Sequence, residues 1–118
     1  MTDTLTELQS IAISAAADKK AFDIILLDLR GRSDLTDAFL ICSGASKVQV
    51  QAIADSILEK TRLAKYKTIA QEGFTAGNWV ILDFMDIIVH VFQQDSREFY
   101  DLERLWGDVP VYKAAGQS

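Results

Sequence analysis

The chain has 118 residues, of which 49% are hydrophobic and 25% charged, and its formal net charge is -5. That length suits one compact core, and the balance of apolar and charged residues is that of an ordinary globular protein and far from that of a disordered chain. The acidic surplus argues against independent sequence-specific nucleic-acid binding, which draws on clustered Lys and Arg, and suits attraction towards a basic protein partner.

Cys42 is the only cysteine, so an intramolecular disulfide and a multi-cysteine metal site are both excluded. A reducing, cytoplasmic setting is the expectation. No apolar run approaches the ~18 residues of a membrane span, and the acidic start, Met1 to Gln9, lacks the pattern of an export or organelle-targeting signal. No membrane partner is expected.

In chain order, Leu8, Ile11, Ala12, Ala15 and Ala16 recur at helical spacing, with Asp3 or Thr4 available as a cap, and this helix ends near residues 18–20. Residues 23–28 form a short aliphatic run broken by Arg30-Gly31-Arg32-Ser33-Asp34, which predicts a buried strand and a turn. A second strand covers residues 38–42. Residues 47–64 carry an apolar face of Val50, Ile53, Ala54, Ile57, Leu58 and Thr61, and Ser46 with Gln49 predicts a capping box at its start.

A shorter strand is expected over residues 66–71, a loop over 72–78, and a hairpin from residues 79–83 and 87–92. Residues 96–106 predict a last helix, stopped by Gly107 with Pro110 beyond it, whose core face is Phe99, Leu102 and Trp106. The order α-β-β-α-β-β-β-α requires a mixed five-stranded sheet flanked by helices, an α/β layered domain. No repeat or linker divides the chain, so one domain is expected over residues 1–118, with a core from about 5 to 110 and a short flexible C-terminal tail.

A two-residue loop at Phe84 and Met85 would set Asp83 opposite Asp86, Ile81 opposite Ile88 and Trp79 opposite His90, all on one face. Two opposed carboxylates then need solvent or a cationic partner, and Trp79 beside them would serve as an interface anchor. The plainer account has the aspartates flanking a solvated turn, Trp79 filling the core and His90 as a hydrogen-bonded sheet residue. Met85 sits uneasily in such a loop, because it calls for positive φ there.

Catalysis is the weaker reading. No D-x-D pair offers carboxylates on one strand face to share metal ions, and Asp23 and Asp28 fall on opposite faces if their strand is regular. His90 is the only histidine, and with Cys42 it lacks any visible third catalytic group; Gly44 and Ser46 precede a helix without a Walker lysine. No metal and no cofactor is expected.

More specific than any of these is a series of separated motifs: Asp23-Ile24 through Leu29-Arg30-Gly31, Leu35-Thr36-Asp37, Glu72-Gly73, Trp79-Val80-Ile81-Leu82-Asp83, Asp86-Ile87-Ile88-Val89-His90-Val91-Phe92, and the run from Arg97-Glu98-Phe99-Tyr100 to Leu105-Trp106-Gly107-Asp108. Together they resemble the Iojap family of ribosomal silencing factors from about Leu5 to Pro110. The pattern departs from the family at Met85, Ala38 and Ala45, positions of turn geometry and local packing.

The resemblance implies an α/β domain related in shape to nucleotidyltransferases but without their catalytic carboxylates, hence binding rather than chemistry. It implies docking on ribosomal protein uL-fourteen of the large ribosomal subunit, a steric block to joining of the small subunit when nutrients are scarce, and formation of homodimers. By the same resemblance Trp79, Asp83, Asp86, His90, Tyr100, Leu105 and Trp106 are the candidate partner-binding residues. The alternatives are assembly of the large subunit and, less favoured, a metal-dependent nucleotidyltransferase-like enzyme.

Overall fold

The computed structural model describes residues 5–114. Within them lie α1 (Glu7–Asp18), β1 (Phe22–Asp28), β2 (Ala38–Gly44), α2 (Lys47–Leu63), β3 (Ala70–Glu72), β4 (Trp79–Asp83), β5 (Ile87–Gln93), α3 (Gln94–Tyr100), α4 (Leu102–Leu105) and β6 (Val111–Lys113). The strands form one mixed sheet in the order β3-β4-β5-β2-β1-β6, in which β2 and β5 run parallel and every other neighbouring pair runs antiparallel. The expected α/β class is therefore observed, with six strands in place of five.

The added strand is β6, which pairs Tyr112 with Leu26 of β1 just after the Pro110 carbonyl has accepted the Asp28 N–H at 2.9 Å. Three residues are too few for an alternating pattern to stand out, and the Gly107 and Pro110 punctuation hid it. The rest of the expected tail, residues 115–118, lies outside the described residues, as do the candidate caps Asp3 and Thr4.

Thr6 caps α1 instead: its hydroxyl accepts the Gln9 N–H at 3.1 Å and the Gln9 side chain accepts the Thr6 N–H at 3.0 Å. The buried stripe Leu8, Ala12, Ala15 and Ala16 presents mostly methyl groups, so α1 and α2 approach closely enough for the Ser56 hydroxyl to donate to the Ala15 carbonyl at 2.9 Å. At the start of α2, Ser46 accepts the Gln49 N–H at 3.1 Å. The Gln49 side chain does not complete the expected box; it accepts the Ala45 N–H and donates to the Lys19 and Lys20 carbonyls, tying α2 to the end of α1.

Side chains alternate across the sheet and sort its core into two layers. Ile24, Leu26, Leu40, Cys42, Val80, Leu82, Val89 and Val91 pack towards α1 and α2. Ile25, Leu27, Ile41 and Phe92 lie on the opposite face, with Phe39, Trp79, Leu102, Trp106 and Val109 against them. β2 and β5, apolar on both faces, read in the sequence as continuous hydrophobic runs for this reason. One residue more on β1 than on β2 between Phe22 and Ile25, where Asp23 has φ 50, makes β1 irregular, so strict alternation from Asp23 to Asp28 does not apply.

Two expected boundaries moved. Residues 66–69 are not strand, because Lys65 takes a positive φ of 74 and the Tyr66 N–H returns to the Thr61 carbonyl, closing the end of α2 and delaying β3 to Ala70. The expected helix over residues 96–106 is broken at Asp101, which adopts a left-handed conformation with φ 49 and ψ 55. Asp tolerates that region better than most residues.

Candidate partner-binding face

The hairpin of β4 and β5 pairs Asp83 with Ile88, Ile81 with His90 and Trp79 with Phe92. The expected pairing of Asp83 with Asp86 and of Trp79 with His90 is corrected by two residues. Phe84 donates its N–H to the Ile87 carbonyl and Asp86 donates to the Phe84 carbonyl, so the loop is longer than two residues and turns tightly at Met85, with φ 76. The Met85 N–H is held by the Asp83 carboxylate at 2.8 Å, which steadies an unfavourable backbone. A slip of two preserves which way every strand side chain points, so Trp79, Ile81, Asp83, Ile88 and His90 do share one face.

Asp86 is the member the structure separates from the others. It sits in the turn, its carbonyl accepts the Asp37 N–H at 3.3 Å, and it borders a cleft near α1. Asp83 and Asp86 are therefore not cross-strand partners.

Trp79 and His90 are joined diagonally: the indole Nε1–H donates to His90 Nδ1 at 3.0 Å. Indole is a donor only, so Nδ1 carries the lone pair and the proton of neutral His90 resides on Nε2. That nitrogen is buried with no hydrogen-bond partner among the described residues. The ring is 5% exposed, has the Phe39 ring edge-on at 4.5 Å, and burial pushes its pKa down to about 4. His90 is thus a neutral core residue that orients Trp79 from beneath, as in the plainer sequence account.

The Trp79 indole stacks on Phe92 at 4.9 Å and meets the Tyr100 ring at 4.5 Å, and Phe99 stands perpendicular to Tyr100 at 5.1 Å. The break at Asp101 explains this arrangement. A continuous helix would turn Phe99 into the core with Leu102 and Trp106; the broken one leaves Phe99 81%, Leu105 73% and Tyr100 46% exposed, while Leu102 and Trp106 pack on the sheet. The expected inward position of Phe99 is overturned. Trp106, edge-on to Phe39 at 6.2 Å, supports the face more than it presents itself.

Arg97 anchors this segment, and the sequence did not single it out from its charged neighbours. Its guanidinium is buried, donates to the Asp23 carbonyl at 2.6 Å and the Ser43 hydroxyl at 2.9 Å, and pairs with Glu103 at 3.0 Å. One arginine so links the β1 irregularity, β2, α3 and α4. Asp83 and, opposite Ile81 on β3, Glu72 give the aromatic face an acidic border. Among the described residues no group of three His, Cys, Asp or Glu is placed to hold a metal ion, and no helix is long and apolar enough to cross a membrane.

Residues 2–117 match the family model described as "Ribosomal silencing factor during starvation". The chain belongs to the ribosomal silencing factor family. Within that family it is 46% identical over 101 residues to the ribosomal silencing factor of Bacillus subtilis, covering 86% of each chain. It is 41% identical over 110 residues to that of Halalkalibacterium halodurans, covering 93% of this chain and 94% of the relative. The silencing-factor fold is also that of a crystal structure of a Chromobacterium violaceum protein, with a TM-score of 0.84 and 36% identity over 95% of this chain and 93% of the other.

Proposed function

We propose that the aromatic face formed by β4, β5 and the broken C-terminal helix docks on a basic protein of the large ribosomal subunit, ribosomal protein uL-fourteen, and that the bound domain bars the small subunit from joining. The observation that carries the reading is the exposure of Phe99, Tyr100 and Leu105 on the broken helix, with Tyr100 packed against Trp79 and Asp83 and Glu72 on the same sheet face. Apolar anchors ringed by polar groups supply most of the affinity of protein interfaces, and acidic borders speed encounter with a basic surface. Trp79, Tyr100 and Leu105 are assigned to contact, Asp83 to charge complementarity, and His90 and Trp106 to support; Asp86 lies at the margin. Steric exclusion requires neither a catalytic residue nor a cofactor.

The test is co-sedimentation of the full chain with purified large subunits, followed by addition of small subunits. Wild type should pellet with the large subunit and reduce joined ribosomes. Phe99→Ser and Leu105→Ser, which alter exposed side chains and leave the core intact, should each weaken binding by about tenfold or more, as loss of an interface anchor does. Normal binding by both variants would remove this face from the interface, and undiminished joining with wild type bound would remove the silencing mechanism. Accumulation of immature large subunits in cells lacking the protein would favour an assembly role instead.

A further inference from the structure

Among the described residues, five other than glycine adopt a positive φ: Lys20, Asp23, Lys65, Met85 and Asp101. Aspartate tolerates that region, and the two lysines lie just past the ends of α1 and α2, where their N–H groups close the last turns on the Ala17 and Arg62 carbonyls. Neither reason covers Met85. Its φ of 76 would suit glycine, and its side chain recovers little packing, being 60% exposed while Phe84 beside it is buried. A strained backbone that carries an exposed apolar side chain points to a use for that side chain outside the domain.

The hairpin tip is also firmly held. The Asp83 carboxylate accepts the Met85 N–H at 2.8 Å, Phe84 donates to the Ile87 carbonyl at 3.0 Å, and the Asp86 carbonyl accepts the Asp37 N–H at 3.3 Å. Met85 is thus presented from a fixed backbone, and little ordering is left to be done at the moment of contact. Behind the tip, Asp83, Ile88, Ile81 and Trp79 share one side of the sheet, and all four are half-buried. At a strand rise of ~3.4 Å per residue, Trp79 and Met85 stand about 20 Å apart, a reach that fits the ~800 Å² one partner contributes to an ordinary protein interface.

We propose that Met85 is a contact residue of the docking face, an apolar tip that anchors the far end of a strip running from Trp79 through Ile81 and Ile88 against an apolar patch on the same ribosomal protein. This inference rests on the docking reading above. The thioether is unbranched and flexible enough to fill an uneven surface, and methionine is enriched where interfaces are most buried. One residue therefore lowers the stability of the free domain and raises the affinity of the bound one.

The experiment compares thermal melting and co-sedimentation with purified large subunits for wild type, Met85→Gly, Met85→Gln and Met85→Leu. Met85→Gly relaxes the turn and deletes the side chain, so its melting temperature should rise by about 3 °C while affinity for the large subunit falls about tenfold. Met85→Gln keeps the length and the strain but not the apolar surface; it should melt as wild type and also bind about tenfold more weakly. Met85→Leu should stay within about threefold of wild type in affinity. A residue that served only the turn would lose binding together with stability, never while gaining it. Wild-type affinity in both Met85→Gly and Met85→Gln, a lowered melting temperature in Met85→Gly, or a loss in Met85→Leu equal to that in Met85→Gln would overturn the proposal. Phe99→Ser and Leu105→Ser measured alongside separate the two readings: if they weaken binding and the Met85 variants do not, the tip alone is excluded, and if none of these changes matters the whole docking face is.

Discussion

Replacing Trp79 by Phe isolates the indole bond to His90. The phenyl ring retains stacking against Phe92 and Tyr100 but removes the donor now 3.0 Å from Nδ1, leaving a second nitrogen of a buried imidazole without a partner. An unsatisfied buried acceptor costs about 1–3 kcal/mol, and we take about 2 kcal/mol. With an unfolding entropy of ~2.1 cal/mol/K per residue, 118 residues give about 0.25 kcal/mol/K, so the melting temperature should fall by about 8 °C. Calorimetry on wild type, Trp79→Phe, His90→Leu and the double variant forms a thermodynamic cycle. The Trp79→Phe penalty should drop by about 1–2 kcal/mol in the His90→Leu background. Equal penalties in both backgrounds would show that packing of the indole, and not its hydrogen bond, holds the pair.

Three further outcomes follow from the same geometry. Burial lowers the pKa of folded His90 to about 4 from an ordinary 6.5, so the unfolded chain binds more protons between those values. Stability from neutral His90 is complete above the unfolded pKa and lost as pH falls to the folded one, about 3 kcal/mol in all; urea midpoints should fall across that window and flatten in His90→Leu. Arg97→Met removes the donors to the Asp23 carbonyl and Ser43 and the partner of Glu103. It should cost about 3 kcal/mol and speed hydrogen exchange through α3 and α4, whereas unchanged exchange there would refute the anchoring role. Gly73 and Gly31 have φ 83 and 80, but a Cβ at Gly73 would lie 2.0 Å from the Trp79 carbonyl oxygen while one at Gly31 would meet nothing within 4 Å. Gly31→Ala should therefore cost only the left-handed strain of about 1 kcal/mol, and Gly73→Ala clearly more by urea unfolding.

Legibility in the sequence followed the range of the interactions involved. α2 and the buried strands β2 and β5 were readable because periodicity and continuous aliphatic runs report burial directly. The shared face of Trp79, Asp83 and His90 survived an error in the hairpin register, since parity rather than pairing decides the face. What could not be read were features set by a single backbone conformation or a distant partner. Asp101 resembles any polar helix residue until its left-handed φ turns Phe99 outward, and Arg97 resembles its charged neighbours until the carbonyl of Asp23 and the hydroxyl of Ser43 are found beside it. The tight turn at Met85 was signalled only by an awkward residue, and β6 depends on β1, its partner from the opposite end of the chain.

The parallel pairing at the centre of the sheet also imposes an order in time. β2 is apolar on both faces, but the strand that completes it, beginning where Ile87 meets Ala38, is synthesised only after α2 and two further strands have been made. A chain emerging in that order holds a hydrophobic edge open until most of its length exists, and long-range pairing of this kind slows folding and invites association while it waits. For this domain the vulnerable interval lies before the first complete sheet, so variants in β5 should reduce the yield of soluble protein in growing cells more than their effect on the finished fold would suggest.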